Sequence, residues 1–188
     1  IIEGEVLPGE YEDEGPFGEF AGYMGPVAPK PLVRITAITH RQDAIFYGYT
    51  SQMPPSESTV LQSMTNAPLV LKTLREDFAD KSVMDVHIDL TFGGLLAHCI
   101  VAMSSKHEGH AKKIGRLIAD MSPLKRVTVV DEDVDIRDPL HLEWAMNSHY
   151  HPVRDTIIID DVFFPMGMDP SVRIDNKMQD MGSKVVID

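Results

Sequence analysis

Cysteine occurs once, at Cys99, which excludes an intrachain disulfide framework and fits a reducing compartment. Its surroundings, Leu95-Leu96-Ala97-His98-Cys99-Ile100-Val101, are apolar, so a buried and inert thiol is expected. No run of about 18 apolar residues exists, which excludes a membrane-spanning helix. Positive charge is scarce: 17 Lys and Arg stand against 29 Asp and Glu, a formal net charge of -12. Such a chain repels a phosphate backbone, so no nucleic-acid partner is expected. The first residues, Ile1-Ile2-Glu3-Gly4-Glu5, lack the basic start of a signal peptide, and a cytoplasmic location is expected. An initiator Met, internal repeats and low-complexity tracts are also missing. Ile1-Ile2-Glu3 reads as the middle of a strand, and Gly182–Asp188 stops without a closing element. The chain is therefore expected to be a fragment of a longer polypeptide or one piece of a split enzyme.

What is present divides into three regions. Residues 1–50 are rich in β-formers and turn residues, with expected strands at Ile1–Leu7, Leu32–His40 and Ala44–Tyr49. Arg41-Gln42-Asp43 is short and polar, which predicts a hairpin between the last two. A long Gly/Pro loop, Pro8–Pro31, separates the first two, and a loop of that length is usually functional or disordered. Residues 51–80 read as helical: Ser56 follows Pro54-Pro55 as an N-cap, and Pro68 is expected to divide an upper helix from a lower one. Leu71, Leu74 and Phe78 fall on one helical face.

Residues 81–188 alternate strand and helix. Val83–Leu90 and Leu95–Ser104 read as strands, followed by a helix with Ala111, Ile114, Leu117, Ile118 and Met121 on one stripe. Lys125–Asp131 is a short apolar run suited to a strand buried on both faces, and Thr156–Asp160 is another. A helix over Pro139–Asn147, carrying Leu140 and Trp144, lies between them. This order predicts an α/β layer architecture with right-handed crossovers.

The strongest local feature is Glu14-Gly15-Pro16-Phe17-Gly18-Glu19-Phe20-Ala21-Gly22-Tyr23. Glu14 and Glu19 flank a Gly-Pro-Phe-Gly turn, whose glycines permit close backbone approach and whose proline stiffens it. Such a turn could aim both carboxylates into one cavity. Two neighbouring, partly desolvated acids cannot both ionise freely, and the one that keeps its proton can donate it. On spacing alone an acidic surface loop is the commoner reading, favoured by Glu10, Glu12 and Asp13 just upstream.

Glu14–Glu19 followed by Gly22-Tyr23 resembles the signature loop of the UbiD family of decarboxylases. Further resemblances follow in the family's order. They are Ile2-Glu3-Gly4, Pro54-Pro55-Ser56-Glu57, His110-Ala111-Lys112, Val129 through Asp135, Trp144-Ala145, Pro152-Val153-Arg154-Asp155 and Gly182-Ser183-Lys184, so that nearly the whole chain is covered. The resemblance implies an α/β fold: the end of a split β-barrel (1–50), connecting helices (51–80) and a C-terminal three-layer α/β oligomerisation domain (81–188).

It also implies a reversible, non-oxidative carboxy-lyase of aromatic or α,β-unsaturated carboxylic acids that uses prenylated FMN. Glu19 matches the acid that protonates the carbon left by CO2, and Glu14 matches a carboxylate of a Glu-Arg-Glu network that polarises the substrate. Leu61 and Gln62 are loosely aligned with residues on the flavin side of the pocket. The network arginine, the ligands for Mn2+ and K+, and most flavin-phosphate contacts fall upstream, and Arg34 does not match that arginine. The expected partners are the upstream half of the enzyme and further copies in a dimer or hexamer. Two alternatives stay open: a non-catalytic assembly module of a split or degenerate relative, and an FMN-binding protein like the flavin reductases.

Other clusters read as structural. Asp131, Asp133 and Asp135 have calcium-loop spacing, but Ile136 and Leu142 stand where such a loop needs Gly and Glu, so they read as acids capping the helix near Pro139. His107 with His110, and His149 with His151, lack a local third ligand for a metal. His110 reads as an exposed or capping residue at a helix start, and His149 and His151 as loop. Met121, Met146 and Met166 read as packing residues.

Overall fold

The computed structural model describes residues 1–48, 50, 52–91, 98–163, 171, 173–174 and 180–188. The amino-terminal part is a two-stranded antiparallel ribbon of β1 (Ile2–Glu14) and β2 (Ala28–Ile38). Both strands are longer than the sequence predicts, so the loop expected at Pro8–Pro31 shrinks to residues 15–27. Pro29 and Pro31 lie inside β2, which an outer strand allows because no ladder N–H is required there. The expected third strand and its hairpin do not form. Residues 44–48 carry no strand, Phe46 is 95% exposed, and β2 pairs with β1 alone among the described residues. Tyr49 lies outside the described residues.

α1 (Glu57–Lys72) starts as expected at Ser56, whose hydroxyl accepts from the Thr59 N–H while the Thr59 hydroxyl accepts from the Ser56 N–H. Pro68 does not divide it. Ala67, Val70, Leu71 and Leu74 pack on the sheet, and this burial outweighs the missing N–H. A π turn at Thr73–Asp77 follows, in which Phe78 N–H donates to the Thr73 carbonyl at 3.1 Å. The extra residue in that turn rotates Phe78 off the face it would share with Leu74, and its side chain is exposed.

The remaining strands are β3 (Val83–Ile88), β4 (His98–Met103), β5 (Arg126–Asp131), β6 (Thr156–Phe163), β7 (Arg173–Ile174) and β8 (Asp180–Ile187). Between them run α2 (His110–Met121) and α3 (Pro139–His149). The sheet order is β3-β4-β5-β8-β6, with β7 beside β8. β4, β5 and β8 are parallel, whereas β3 and β6 are antiparallel to their neighbours, so the sheet is mixed. The carboxyl-terminal residues do supply a closing element: β8 inserts between β5 and β6. Its partners are far away in sequence, which hides this role from a local reading. The β3–β4 connection expected at Thr91–Gly94, and Leu95–Ala97, lie almost wholly outside the described residues, as does Met166.

Along β4, Cys99, Val101 and Met103 face one cluster, with α1, α2, Val127, Val129 and Val186. Ile100 and Ala102 face the opposite one, with Ile136, Val130 and Leu142 of α3. The Cys99 thiol is fully buried, and burial pushes its pKa up to about 12, as expected of an inert group. β6 is an edge strand and not the doubly buried one expected: Ile159 is buried while Ile158 is 73% exposed. On α3 it is Ala145 that is buried, while Leu140 and Trp144 stay exposed. That helix is capped by Asp138, which accepts from Leu140 N–H, and not by the acids upstream of it.

α2 is held on both ends. A Cβ at Gly115 would lie 2.3 Å from Val186 Cγ1, so only glycine lets the helix sit this close to β8. Lys184 of β8 donates to the Ala119 and Ser122 carbonyls at 2.5 and 2.6 Å, satisfying groups at the end of the helix. At its start, where an exposed or capping residue is expected, Gly109 holds the cap position and His110 is buried. Its Nδ1 accepts from the Lys106 N–H, so Nε2 carries the hydrogen and donates to Asp80 at 2.7 Å. Burial alone would raise the Asp80 carboxyl, but hydrogen bonds from Ser82 and His110 outweigh it and hold it at about 2.

A carboxyl depressed from 3.8 to about 2 stabilises the fold above pH 4, and the contribution fades as pH falls toward 2. The difference in unfolding free energy between wild type and Asp80→Asn is expected to be about 2 kcal/mol at neutral pH. It should shrink to near zero at about pH 2, measured by urea denaturation across pH.

Candidate active site

The acid loop is built by its own backbone. β1 ends at Glu14, paired with Ala28 across the ribbon. Gly15 has φ +98°, and a Cβ there would lie 3.2 Å from the Pro26 carbonyl oxygen, so the turn needs glycine. Beyond it the chain folds into a small hairpin. Gly18 bridges to Met24, Gly25 N–H donates to the Phe17 carbonyl at 2.9 Å, and Glu19 N–H donates to the Tyr23 carbonyl at 2.8 Å. Gly22 N–H closes the turn on the Glu19 carbonyl at 3.0 Å. Ala21 and Gly25 are buried.

This hairpin aims Glu19 back over the loop. The side chain is half-buried, with Oε1 only 3.2 Å from where a Gly25 Cβ would stand. Glu14 is exposed at the end of β1, and no hydrogen bond joins the two carboxylates. Arg34 is held elsewhere: its guanidinium grips Glu10 with two hydrogen bonds of 2.7 and 2.8 Å. The loop approaches the segment that precedes α1: a Cβ on Gly22 would lie 3.5 Å from Met53 Sδ. Leu61 and Gln62 are exposed on the first half of that helix.

The histidines have structural tasks. His107 stacks on His110, with ring centroids 5.0 Å apart, and His110 is committed to Asp80. His149, which ends α3 instead of lying in a loop, meets Trp144 edge-on at 5.3 Å, while His151 Nδ1 accepts from Arg154 N–H. Among the described residues, no three His, Cys, Asp or Glu side chains gather where a metal ion could sit. A further histidine had no signal in the sequence beyond an apolar setting. Buried His98 accepts from Arg126 at Nδ1 and donates to Thr128 at 2.8 Å. Burial, with Arg126 adding to it, lowers its pKa to about 3, so the ring is neutral at physiological pH.

Residues 1–54 match the 3-octaprenyl-4-hydroxybenzoate carboxy-lyase Rift-related domain, and residues 59–188 match the C-terminal domain of the same carboxy-lyase. The chain belongs to the UbiD family. A curated relative, an uncharacterised Rhodospirillum rubrum protein from the cooM 5' region, is 39% identical over 164 residues, which is 86% of this chain and 34% of that protein. A solved UbiD-class enzyme, HmfF from Pelotomaculum thermopropionicum in complex with FMN, is 35% identical with a TM-score of 0.78 over 100% of this chain and 40% of its own. An evolved dimeric form of HmfF with prFMN matches at 33% identity and a TM-score of 0.74, over 100% of this chain and 38% of its own. Vanillic acid decarboxylase of Sedimentibacter hydroxybenzoicus, in its closed form, gives 30% identity and a TM-score of 0.81 over 100% of this chain and 38% of its own. The sequence thus spans about a third of the length of the curated relatives it matches.

The seat of Glu19 on Gly25 is testable. In Gly25→Ala the new methyl should push the Glu19 carboxylate aside, because the flexible tip of a side chain yields before the backbone does. A crystal structure of the full-length variant should show Oε1 displaced, while unfolding free energy changes by less than about 1 kcal/mol.

Proposed function

We propose that the complete protein is a reversible, non-oxidative decarboxylase (carboxy-lyase) of aromatic or α,β-unsaturated carboxylic acids that uses prenylated FMN. On this reading the present segment supplies Glu19 and Glu14. The observation that carries the proposal is the self-bonded hairpin that fixes Glu19, half-buried against Gly25, in a chain of the UbiD family. The reading keeps the division into the end of a split barrel (1–50), connecting helices (51–80) and a three-layer α/β oligomerisation domain (81–188). Helices packed on both faces of the second sheet support its last part.

The residues present fit one side of a flavin site. Leu61 offers an exposed apolar side chain and Gln62 an amide, on the helix that follows Met53, the residue that Gly22 of the acid loop approaches. Prenylated FMN, when bound, supplies the sink for the electron pair of the C–C bond that breaks. Glu19 would deliver a proton to the carbon that carried the carboxylate, so that a new C–H bond replaces the broken C–C bond, and would regain its proton from solvent. Glu14 orients the substrate together with an arginine from the upstream half, since Arg34 is committed to Glu10. No three His, Cys, Asp or Glu side chains among the described residues gather for Mn2+, and we assign the ligands of Mn2+ and K+ upstream as well. A cytoplasmic dimer or hexamer completes the reading.

In the full-length, cofactor-loaded enzyme, Glu19→Gln should lower kcat for CO2 release at least about 100-fold while leaving the flavin absorption spectrum intact. CO2 release unchanged by Glu19→Gln would point to an assembly role for this segment. NAD(P)H oxidation without CO2 release would point to a flavin reductase. Native mass spectrometry of the purified protein should find a flavin heavier than FMN by one prenyl unit, and plain FMN alone would count against the proposal.

A further inference from the structure

The ribbon that carries the acid loop consists of two ladders. Residues 2–6 pair with 33–38, and residues 11–14 pair with 28–31. Between them residues 7–10 have no partner in the register and stand against Leu32 alone, and Gly9 turns the chain there with φ +83°. Extra residues in one strand interrupt the ladder, bend that strand and increase its twist. The second ladder is therefore an arm set off from the first, with Glu14 at its end and the hairpin of Glu19 beyond it.

A side-chain contact spans the break. Glu10 is the last residue of the bulge, and Arg34 belongs to the first ladder. The Arg34 guanidinium donates from Nε to Glu10 Oε2 at 2.7 Å and from Nη2 to Oε1 at 2.8 Å. Among the described residues it is the only side-chain pair across the break. Arg34 stands opposite Glu5 in the register, yet it grips Glu10. The bulge must fold back toward the first ladder for this to happen, and Glu10 is the one residue of β1 that is not exposed. Two parallel bonds between a guanidinium and a carboxylate fix direction as well as distance.

The leverage of such a clamp is large. A ladder of four residues is about 13 Å long, so a turn of about 5° at its base moves its tip by about 1 Å. A displacement of about 1 Å in a reacting group can cost about 100-fold in rate. We propose that Arg34 and Glu10 are positioning residues: their clamp sets the angle of the arm and so the places of Glu14 and Glu19. What that placement serves rests on the decarboxylase reading. The pair is partly exposed, 58% for Arg34 and 30% for Glu10, so it contributes little to global stability and its loss should move the loop without unfolding the protein.

The test uses full-length, cofactor-loaded protein as wild type, Arg34→Ala, Glu10→Ala and the double swap Glu10→Arg with Arg34→Glu. In each single variant the amides of residues 11–14, 28 and 30 should exchange with deuterium at least about tenfold faster, while those of residues 2–6 stay unchanged. Thermal melts should shift by less than about 3 °C. With 4-hydroxybenzoate and cinnamate as probes, kcat for CO2 release should fall at least about tenfold in both single variants. The swap should bring it back to within about threefold of wild type, which a merely structural pair would not require. Unchanged exchange on the arm overturns the proposal. So does faster exchange with kcat intact, or a loss in Arg34→Ala that Glu10→Ala does not share, which would make Arg34 act alone. Failure of the decarboxylase reading shows separately, as wild-type protein that releases no CO2, and the exchange rates then decide the clamp by themselves.

Discussion

The seat of α2 on β8 is the contact on which the second sheet depends. Gly115 removes the one Cβ that would strike Val186, and Lys184 reaches the carbonyls at the end of the helix. The two contacts work together: the first allows van der Waals approach, and the second satisfies polar groups that this approach would strip of water. β8 is thereby held between β5 and β6, and the largest hydrophobic cluster is closed from the side of α2. The same seating leaves the start of α2 facing a crevice of about 810 Å³ at the carboxyl ends of β4 and β5.

The acid loop obeys a different constraint. It has almost no hydrophobic core of its own, with Ala21 and Gly25 its buried members, so its shape comes from backbone hydrogen bonds and from the turns that glycines permit. That suits a loop carrying a carboxylate: the position of Glu19 is set by a short closed hairpin, while the side chain stays half-exposed to whatever enters. The ribbon that carries the loop is exposed on both faces, and the chain covers about a third of the length of its relatives.

Buried electrostatics are concentrated in the second part of the chain. Asp80 and His110 join the end of the α1 region to the start of α2 by one hydrogen bond, so the helix that follows the acid loop is tied to the domain behind it. Buried, neutral His98 accepts from the exposed guanidinium of Arg126 at the opposite ends of the strands from the crevice. Neither link could be read from spacing, since each joins residues about thirty positions apart.

Local sequence determined the elements whose causes are local. The N-cap at Ser56, the stripe of Ala111, Ile114 and Ile118, the doubly buried run of Val127 to Val129 and the turn around Gly15 were all legible, because each reflects the preferences of a few neighbouring residues. The family was legible as well, through ordered motifs along the chain. Tertiary structure decided the rest. Burial of Val70 and Leu74 carried a helix through Pro68, and the lack of a neighbour left residues 44–48 without a strand. Asp80 turned a histidine expected to be exposed or capping into a buried one. The motif Gly182-Ser183-Lys184 was visible in the sequence, but the task of Lys184 was not. Partners distant in the chain meet only after the sheet has assembled, and their free energy of contact has no imprint on the periodicity of either segment alone.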